Sequence, residues 1–310
     1  MKNKVHIAFL LLSTSLLVIF ACSKSKITDD GKPIPFPGEA ALNNCVNAPD
    51  YGAAVICPQF RGPNNDHKIK PKNNPGAGLY YSWPGGLVLD QSTGEINVTK
   101  SETGSRYVIG FVKTGSADTC LTELVLAGVT YVDSVYVIGA NDTLALPHFN
   151  ANPLPTSICD ASDDNDYPGN SGGNGGGNDK CEFDDGSDDD NGNGNLDEPP
   201  PGQRANDQKV RVRTVSGVIN LKKTLDEGAF GANPKNGDSK EVTIYYRLND
   251  CSVKALQKIK VNLVYYEKRS DIPVQVLNDV TNKRNRFMQA RIIAPDGKPR
   301  PPQIFVTRIY

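Results

Sequence analysis

Trp83-Pro84-Gly85-Gly86-Leu87-Val88-Leu89-Asp90-Gln91-Ser92-Thr93-Gly94-Glu95-Ile96-Asn97-Val98, with Tyr107-Val108-Ile109-Gly110-Phe111-Val112 shortly after, is the stretch that decides the fold. Leu87-Val88-Leu89 reads as a short apolar strand and Asp90 to Gly94 as a turn. Glu95 to Val98 then reads as a second strand with Ile96 and Val98 on one face. Tyr107, Ile109 and Phe111 are spaced by two, so one side of a strand carries all three inward. At roughly 1.5–3 kcal/mol per fully buried large side chain, this stretch supplies a major part of a core.

The pattern returns downstream. Gly94-Glu95-Ile96-Asn97-Val98-Thr99-Lys100 and Cys120 are echoed by Gly217-Val218-Ile219-Asn220-Leu221-Lys222-Lys223 and Cys251. Strand-like sequence follows each Cys, Val129 to Ile138 in one half and Ile259 to Tyr266 in the other. Two degenerate copies of a β-sandwich explain the echo, with chance similarity between two β-rich halves as the alternative. Val alternates with Lys and Arg over Lys209 to Arg213, a half-buried strand. A further hairpin is expected from Phe287 to Ala294 and Gln303 to Tyr310 around Pro295-Asp296-Gly297. Helix is expected only in short pieces, in keeping with 29 Gly, 22 Pro and 2 Met among 310 residues.

The quoted stretch resembles the immunoglobulin- and cadherin-like repeats of bacterial surface proteins, in which a GL-x-L-D-x-x-T-G-x-I hairpin precedes G-x-Y-x-V strand residues. Here the pattern is Gly86 to Ile96, then Gly104, Tyr107 and Ile109. Asn97-Val98-Thr99 replaces the usual Gly-Thr-Pro. The resemblance covers about thirty residues and implies an all-β fold of two β-sandwich domains. Such modules serve adhesion, spacing and ligand display alike.

At the amino terminus Lys2 and Lys4 precede an apolar run from Val5 to Phe20, the pattern of a secretory signal. Ile19-Phe20-Ala21-Cys22 resembles the lipobox of bacterial lipoproteins, which implies that Cys22 carries the lipid and becomes the first mature residue. An ordinary signal peptide or a membrane span with an incidental Cys is the alternative. Ser23 to Glu39 is polar and Pro-containing, which suits a tether. The expected organisation is therefore a signal peptide over 1–21, a tether over 22–40, a sandwich over 41–155, an acidic linker over 156–204 and a second β-rich domain over 205–310.

Charge divides the chain although the formal net charge is −1. Residues 160–198 hold thirteen acidic residues and one Lys, whereas 203–310 hold twenty-one Lys plus Arg and ten acids. The Gly/Asn/Asp-rich middle cannot bury enough apolar surface to fold alone. Within it Asp189, Asn191, Asn193, Asn195 and Asp197 fall at positions 1, 3, 5, 7 and 9 of an EF-hand-like loop, with Gly194 at the sharp turn and Leu196 at the apolar position. The stretch resembles the D-x-[DN]-x-[DN]-G calcium repeats of exported bacterial proteins. Pro200 replaces the bidentate Glu at position 12, so an affinity of roughly 10⁻⁴ to 10⁻³ M is expected for Ca²⁺. A solvated acidic spacer is the alternative. The basic half lacks RNP, zinc-finger and helix-turn-helix patterns, so nucleic acid is not an expected partner.

Beyond Cys22 six Cys remain: Cys45, Cys57, Cys120, Cys159, Cys181 and Cys251. In an exported chain they suggest disulfides, with fifteen connectivities open; Cys159 to Cys181 would close the acidic loop. Zinc lacks a paired C-x-x-C. No G-x-S-x-G elbow, H-E-x-x-H helix or phosphate-binding loop is present. Asp66-His67 and His148 read as loop residues rather than parts of a triad. Tyr80, Tyr81 and Trp83 are candidate ligand aromatics, with core packing as the alternative. Asp133-Ser134-Val135 and Asp142-Thr143-Leu144 resemble Bacteroidetes O-glycosylation sequons.

The sequence therefore predicts a non-enzymatic, lipid-anchored outer-membrane protein of the cell envelope. It presents β-sandwich modules to an envelope protein or glycan, with calcium as a stiffening ion. The rival readings are a polysaccharide-acting hydrolase or its accessory subunit, and a stalk with no ligand of its own.

Overall fold

Asp90 shapes the first hairpin: its carboxylate accepts from the backbone N–H of Ser92 at 2.9 Å and Thr93 at 2.8 Å and from the Ser92 hydroxyl at 2.7 Å. The Ser92 hydroxyl and the two backbone donors pull the Asp90 carboxyl down to about 2. Gly94 follows at φ +71°, where a Cβ would meet the Tyr80 ring at 2.6 Å. Only glycine fits both that conformation and that approach. The turn delivers Ile96 opposite Leu89, as the sequence predicts.

A computed structural model describes residues 45–62, 64–83, 86–141, 143–151, 157–159, 167, 181–184, 199–288 and 301–310. The first core is built by β1 (Val55–Ile56), β2 (Lys68–Ile69), β3 (Gly78–Trp83), β4 (Ile96–Asn97), β5 (Ser105–Lys113) and β6 (Thr119–Leu126). Four of these form a sheet in the order β1-β6-β5-β3, with β1 parallel to β6 and the other pairs antiparallel. The antiparallel pair β2-β4 is a separate small sheet. Tyr80, Ile96, Val98, Tyr107, Ile109, Phe111, Leu124 and Leu126 share this core.

The second core takes β7 (Val129–Tyr131), β8 (Ser134–Val137), β9 (Leu144–Ala145), β10 (Pro147–Phe149), β11 (Glu182–Phe183), β12 (Ile219–Asn220), β13 (Ser239–Arg247) and β14 (Gln257–Lys268). Helices α1 (Leu221–Asp226) and α2 (Val274–Met288) and the strand β15 (Gln303–Ile309) complete it. Its sheet runs β11-β13-β14-β15-β8, with β9-β12 and β7-β10 as small antiparallel ladders. Phe183, Val212, Ile219, Val242, Ile244, Tyr246, Val261, Leu263, Ile304 and Val306 lie in this core. The protein is thus all-β, with two β-sandwich modules. Both cores belong to the one compact unit spanning residues 37–310. Beyond Gly128, Val129, Tyr131, Ala145 and Phe149 pack in the second core.

The echo between the halves is structural, down to individual hydrogen bonds. Gly94 N–H donates to Asp90 O at 2.9 Å, and Gly217 N–H to Arg213 O at 3.1 Å. Tyr51 and Tyr131 donate their hydroxyls to Gly94 O at 2.7 Å and Gly217 O at 2.6 Å. Asn97 Oδ1 accepts from Lys100 N at 3.1 Å as Asn220 Oδ1 accepts from Lys223 N at 2.9 Å. Gly217 has φ +69°, and a Cβ there would meet the Phe183 ring at 2.5 Å, as Gly94 meets Tyr80.

Two expectations are corrected. Helix is not confined to short pieces, because α2 has 15 residues. Among its described side chains Val276, Leu277 and Val280 pack with Ile272, Val264 and Phe305 on the outer face of the five-stranded sheet. The hairpin expected at 287–310 is also absent: Phe287 belongs to α2, and β15 pairs in parallel with β14 and β8. Residues 289–300 lie outside the described residues.

Candidate functional site

All six described cysteines are paired, as Cys45–Cys120, Cys57–Cys251 and Cys159–Cys181. The second bond crosses between the modules, from the residue after β1 to the β13–β14 loop. Non-covalent contacts meet at the same junction. The Tyr246 hydroxyl is 2.7 Å from Thr103 Oγ1 of the first module and accepts from Val129 N–H at 3.1 Å. A Cβ on Gly128 would sit 2.7 Å from that hydroxyl, so the chain passes between modules where only glycine fits. Burial pushes the Tyr246 hydroxyl up to about 12, which keeps it a neutral partner across the physiological range.

Beside this junction lies a buried polar group that begins at Cys181. Pairing of β11 with β13 sets Glu182 opposite Arg247. Glu182 Oε1 accepts from Lys254 Nζ at 2.9 Å, and its Oε2 is 3.7 Å from Arg247 NH1. No side chain of the three is more than 5% exposed. Lys254 reaches inward from a tight turn in which it and Val253 have φ values of +52° and +51°. Such values are strained for a β-branched residue, and Val253 is 67% exposed. Charges this deeply withdrawn from water require one another, so they fix the loop that carries Cys251.

Asp184 is the second buried acid. It accepts from Ala205 N–H at 3.1 Å, Asn206 N–H at 2.6 Å and Asn206 Nδ2 at 2.9 Å. Burial raises its carboxyl to about 6 despite these donors. Sequence reasoning missed Glu182 and Asp184 among thirteen acids. The one local signal was Phe183, a large apolar residue directly after Cys181 in an otherwise polar run; nothing in the alternation foretold that the acids on either side of it are buried as well.

The residues flagged from the sequence are placed as follows. Tyr80 and Trp83 are buried, at 4% and 3% exposure, and Tyr80 packs on Phe111 with ring centroids 4.8 Å apart. Tyr81 is half-buried on the outer face of the same sheet. His67 is buried, its pKa lowered by burial and by Arg61, and its Nδ1 has no partner among the described residues. Asp66 binds Asn97 Nδ2 at 2.7 Å and Lys100 Nζ at 2.7 Å. His148 is buried on β10 opposite Thr130. Cys57, Asp250 and Cys251 bring potential metal ligands within 4.8 Å of one another, but both sulfurs are spent in the disulfide. Cys22 and the calcium set Asp189, Asn191, Asn193, Asn195 and Asp197 lie outside the described residues. No helix among the described residues is long and apolar enough to cross a membrane.

No protein family matches the sequence, and no curated protein matches it. Solved structures give distant likenesses. Drosophila N-cadherin EC1-4 is 9% identical over 70% of this chain and 49% of that one, at a TM-score of 0.18. This chain thus spans about half of that structure. A SusE-like surface-located polysaccharide-binding protein from the Bacteroides thetaiotaomicron heparin utilisation locus is 11% identical, over 70% and 89%, at 0.20. Mouse protocadherin-24 EC1-3 is 8% identical, over 69% of each chain, at 0.16.

Proposed function

We propose that this chain is a lipid-anchored, non-enzymatic protein of the cell envelope, tethered through Cys22, that holds two sandwich modules in a fixed relation for binding or adhesion. The observation that carries this reading is the Cys57–Cys251 bond between modules. Disulfides persist in oxidising compartments outside the cytoplasm. A covalent brace beside the Thr103–Tyr246–Val129 contacts suits a surface presented as a rigid pair. The partner is an envelope glycan or protein. Calcium on Asp189, Asn191, Asn193, Asn195 and Asp197 would stiffen the acidic stretch, since carboxylates, amides and a carbonyl are the hard oxygens Ca²⁺ takes.

Radiolabelled palmitate tests the anchor. Label is expected in the natural chain and absent from Cys22→Ser, which should also leave the membrane fraction. Unlabelled natural chain that sediments identically to the variant would sink the anchor. The soluble 23–310 fragment, applied to glycan arrays and envelope extracts with and without calcium, tests the binding role. Retention of a glycan or envelope protein is expected, weakened by a chelator. No retention in either condition would favour the stalk.

A further inference from the structure

Cys251 is the exposed one of the six described cysteines; Cys45 is half-buried and the other four are buried. Its partner Cys57 is 8% exposed, so the bond between the modules turns one cysteine outward and keeps the other covered. A carboxylate stands beside both, since Asp250 brings an oxygen within 4.8 Å of each sulfur. Asp250 Oδ1 accepts from Ser252 N–H at 2.8 Å, whereas Oδ2 is buried and has no hydrogen-bond partner among the described residues. Neither cysteine depends on the bond for its place. β1, which ends at Ile56, is paired with β6, and Ala127 N–H donates to Ile56 O at 2.8 Å. The loop of Cys251 is closed by Val253 N–H to Asp250 O at 3.0 Å and by Ala255 N–H to Ser252 O at 3.1 Å. The buried Lys254–Glu182 pair ties that loop down.

We propose that Cys251 is a thiol-exchange site, at which small thiols and dithiols open and re-form the bond between the modules. The attacking thiolate bonds to Cys251 Sγ as the sulfur–sulfur bond breaks; Cys57 leaves as a thiolate and takes a proton from water. A second thiolate attacks the mixed disulfide, freeing the Cys251 thiol and ending as the disulfide of the small molecule. The two electrons that reduce the bond come from those two thiols. Attack at Cys57 is closed off by its burial. Asp250 sets the pace, because its negative charge opposes both an arriving thiolate and the charge growing on the departing Cys57 sulfur. Once open, the two thiols stay opposite each other, since β1 and the loop keep their own hydrogen bonds. Oxidation therefore restores the same pair. Opening removes the covalent link and leaves the passage at Gly128 and the Tyr246 contacts with Thr103 and Val129. This inference goes beyond the envelope reading and does not rest on it.

The test uses the full chain carrying Cys22→Ser, so that free thiols report opened bonds. Dithiothreitol or glutathione is added, samples are quenched with acid over time, and each cysteine is followed by alkylation and peptide mass spectrometry. The 57–251 pair is expected to open first, with the glutathione adduct on Cys251, and to re-form when the thiol is removed. Asp250→Asn keeps an oxygen for Ser252 N–H and should speed opening roughly threefold or more, with anionic glutathione gaining more than uncharged dithiothreitol. Unchanged rates at the 45–120 and 159–181 pairs report that the variant is folded. The proposal is overturned if another pair opens first or if the adduct sits on Cys57. It is equally overturned if a folded Asp250→Asn chain opens no faster than the natural one. Should that variant misfold, the order of opening and the position of the adduct in the Cys22→Ser chain decide.

Discussion

Two glycines and one aspartate show how much a single residue decides. Gly94 and Gly217 each combine a left-handed φ with an aromatic ring pressed against the Cα. Gly94→Ala and Gly217→Ala are each expected to cost more than about 1 kcal/mol, read as a lowered urea midpoint. A loss confined to one of them would deny the equivalence of the two turns. Asp184 offers a pH signature. Its folded carboxyl keeps a proton to about pH 6, whereas an unfolded Asp releases it near 3.9. The folded state binds more protons between those values, so this group's contribution to stability falls as pH rises through the window and is constant above it. Asp184→Asn should remove that slope from urea midpoints measured between pH 4 and pH 7. At neutral pH it should also cost about 1–3 kcal/mol, because the amide nitrogen must replace one carboxylate oxygen and face either the Ala205 donor or the two Asn206 donors.

Elements were legible where local chemistry specified them. Asn220 caps α1 by accepting from Lys223 N–H, and Asn220→Ala should lower stability by about 1 kcal/mol in chemical unfolding. Its counterpart Asn97→Ala should cost a similar amount, because each side chain also donates a hydrogen bond from its Nδ2, to Asp66 from Asn97 and to the Tyr167 hydroxyl from Asn220. The hairpin around Asp90 and Gly94 was readable because the turn residues and the period-two strand agree. The repeat at Gly217 was readable for the same reason. The Val210 and Val212 alternation gave the buried face correctly, although only an isolated bridge, Val212 to Ile219, forms there. Helix α2 was not readable, since its run of Asn, Asp, Thr, Lys and Arg leaves a faint apolar period, and Val276, Leu277 and Val280 take their support from the sheet beneath them. The parallel insertion of β15 escaped notice as well. Ile304 to Thr307 read as a strand, but nothing local tells a strand which neighbours it will take.

At the scale of the whole molecule, the division between cores at Gly128 is set by partners far away in sequence, Tyr246 and Cys251, and so lay beyond any local pattern. The same holds for the buried Glu182, Arg247 and Lys254, whose pairing is made by a strand register and a disulfide. Replacing both Cys57 and Cys251 by Ser should cost about 2–4 kcal/mol. It should also split calorimetric unfolding into separate transitions for the modules, and a single unchanged transition would mean that the brace is dispensable.

That brace also determines how the protein bears a mechanical load. Suppose tension enters upstream of Cys45 and is resisted at β14 or later. The covalent route runs from residue 45 to 57, across the sulfurs to 251, and onward. The chain between the bonded cysteines, which stand 194 positions apart in sequence, lies off that route. The load path therefore touches the first sandwich only through the stretch carrying Cys45, Tyr51 and β1, and the rest of that module hangs beside it.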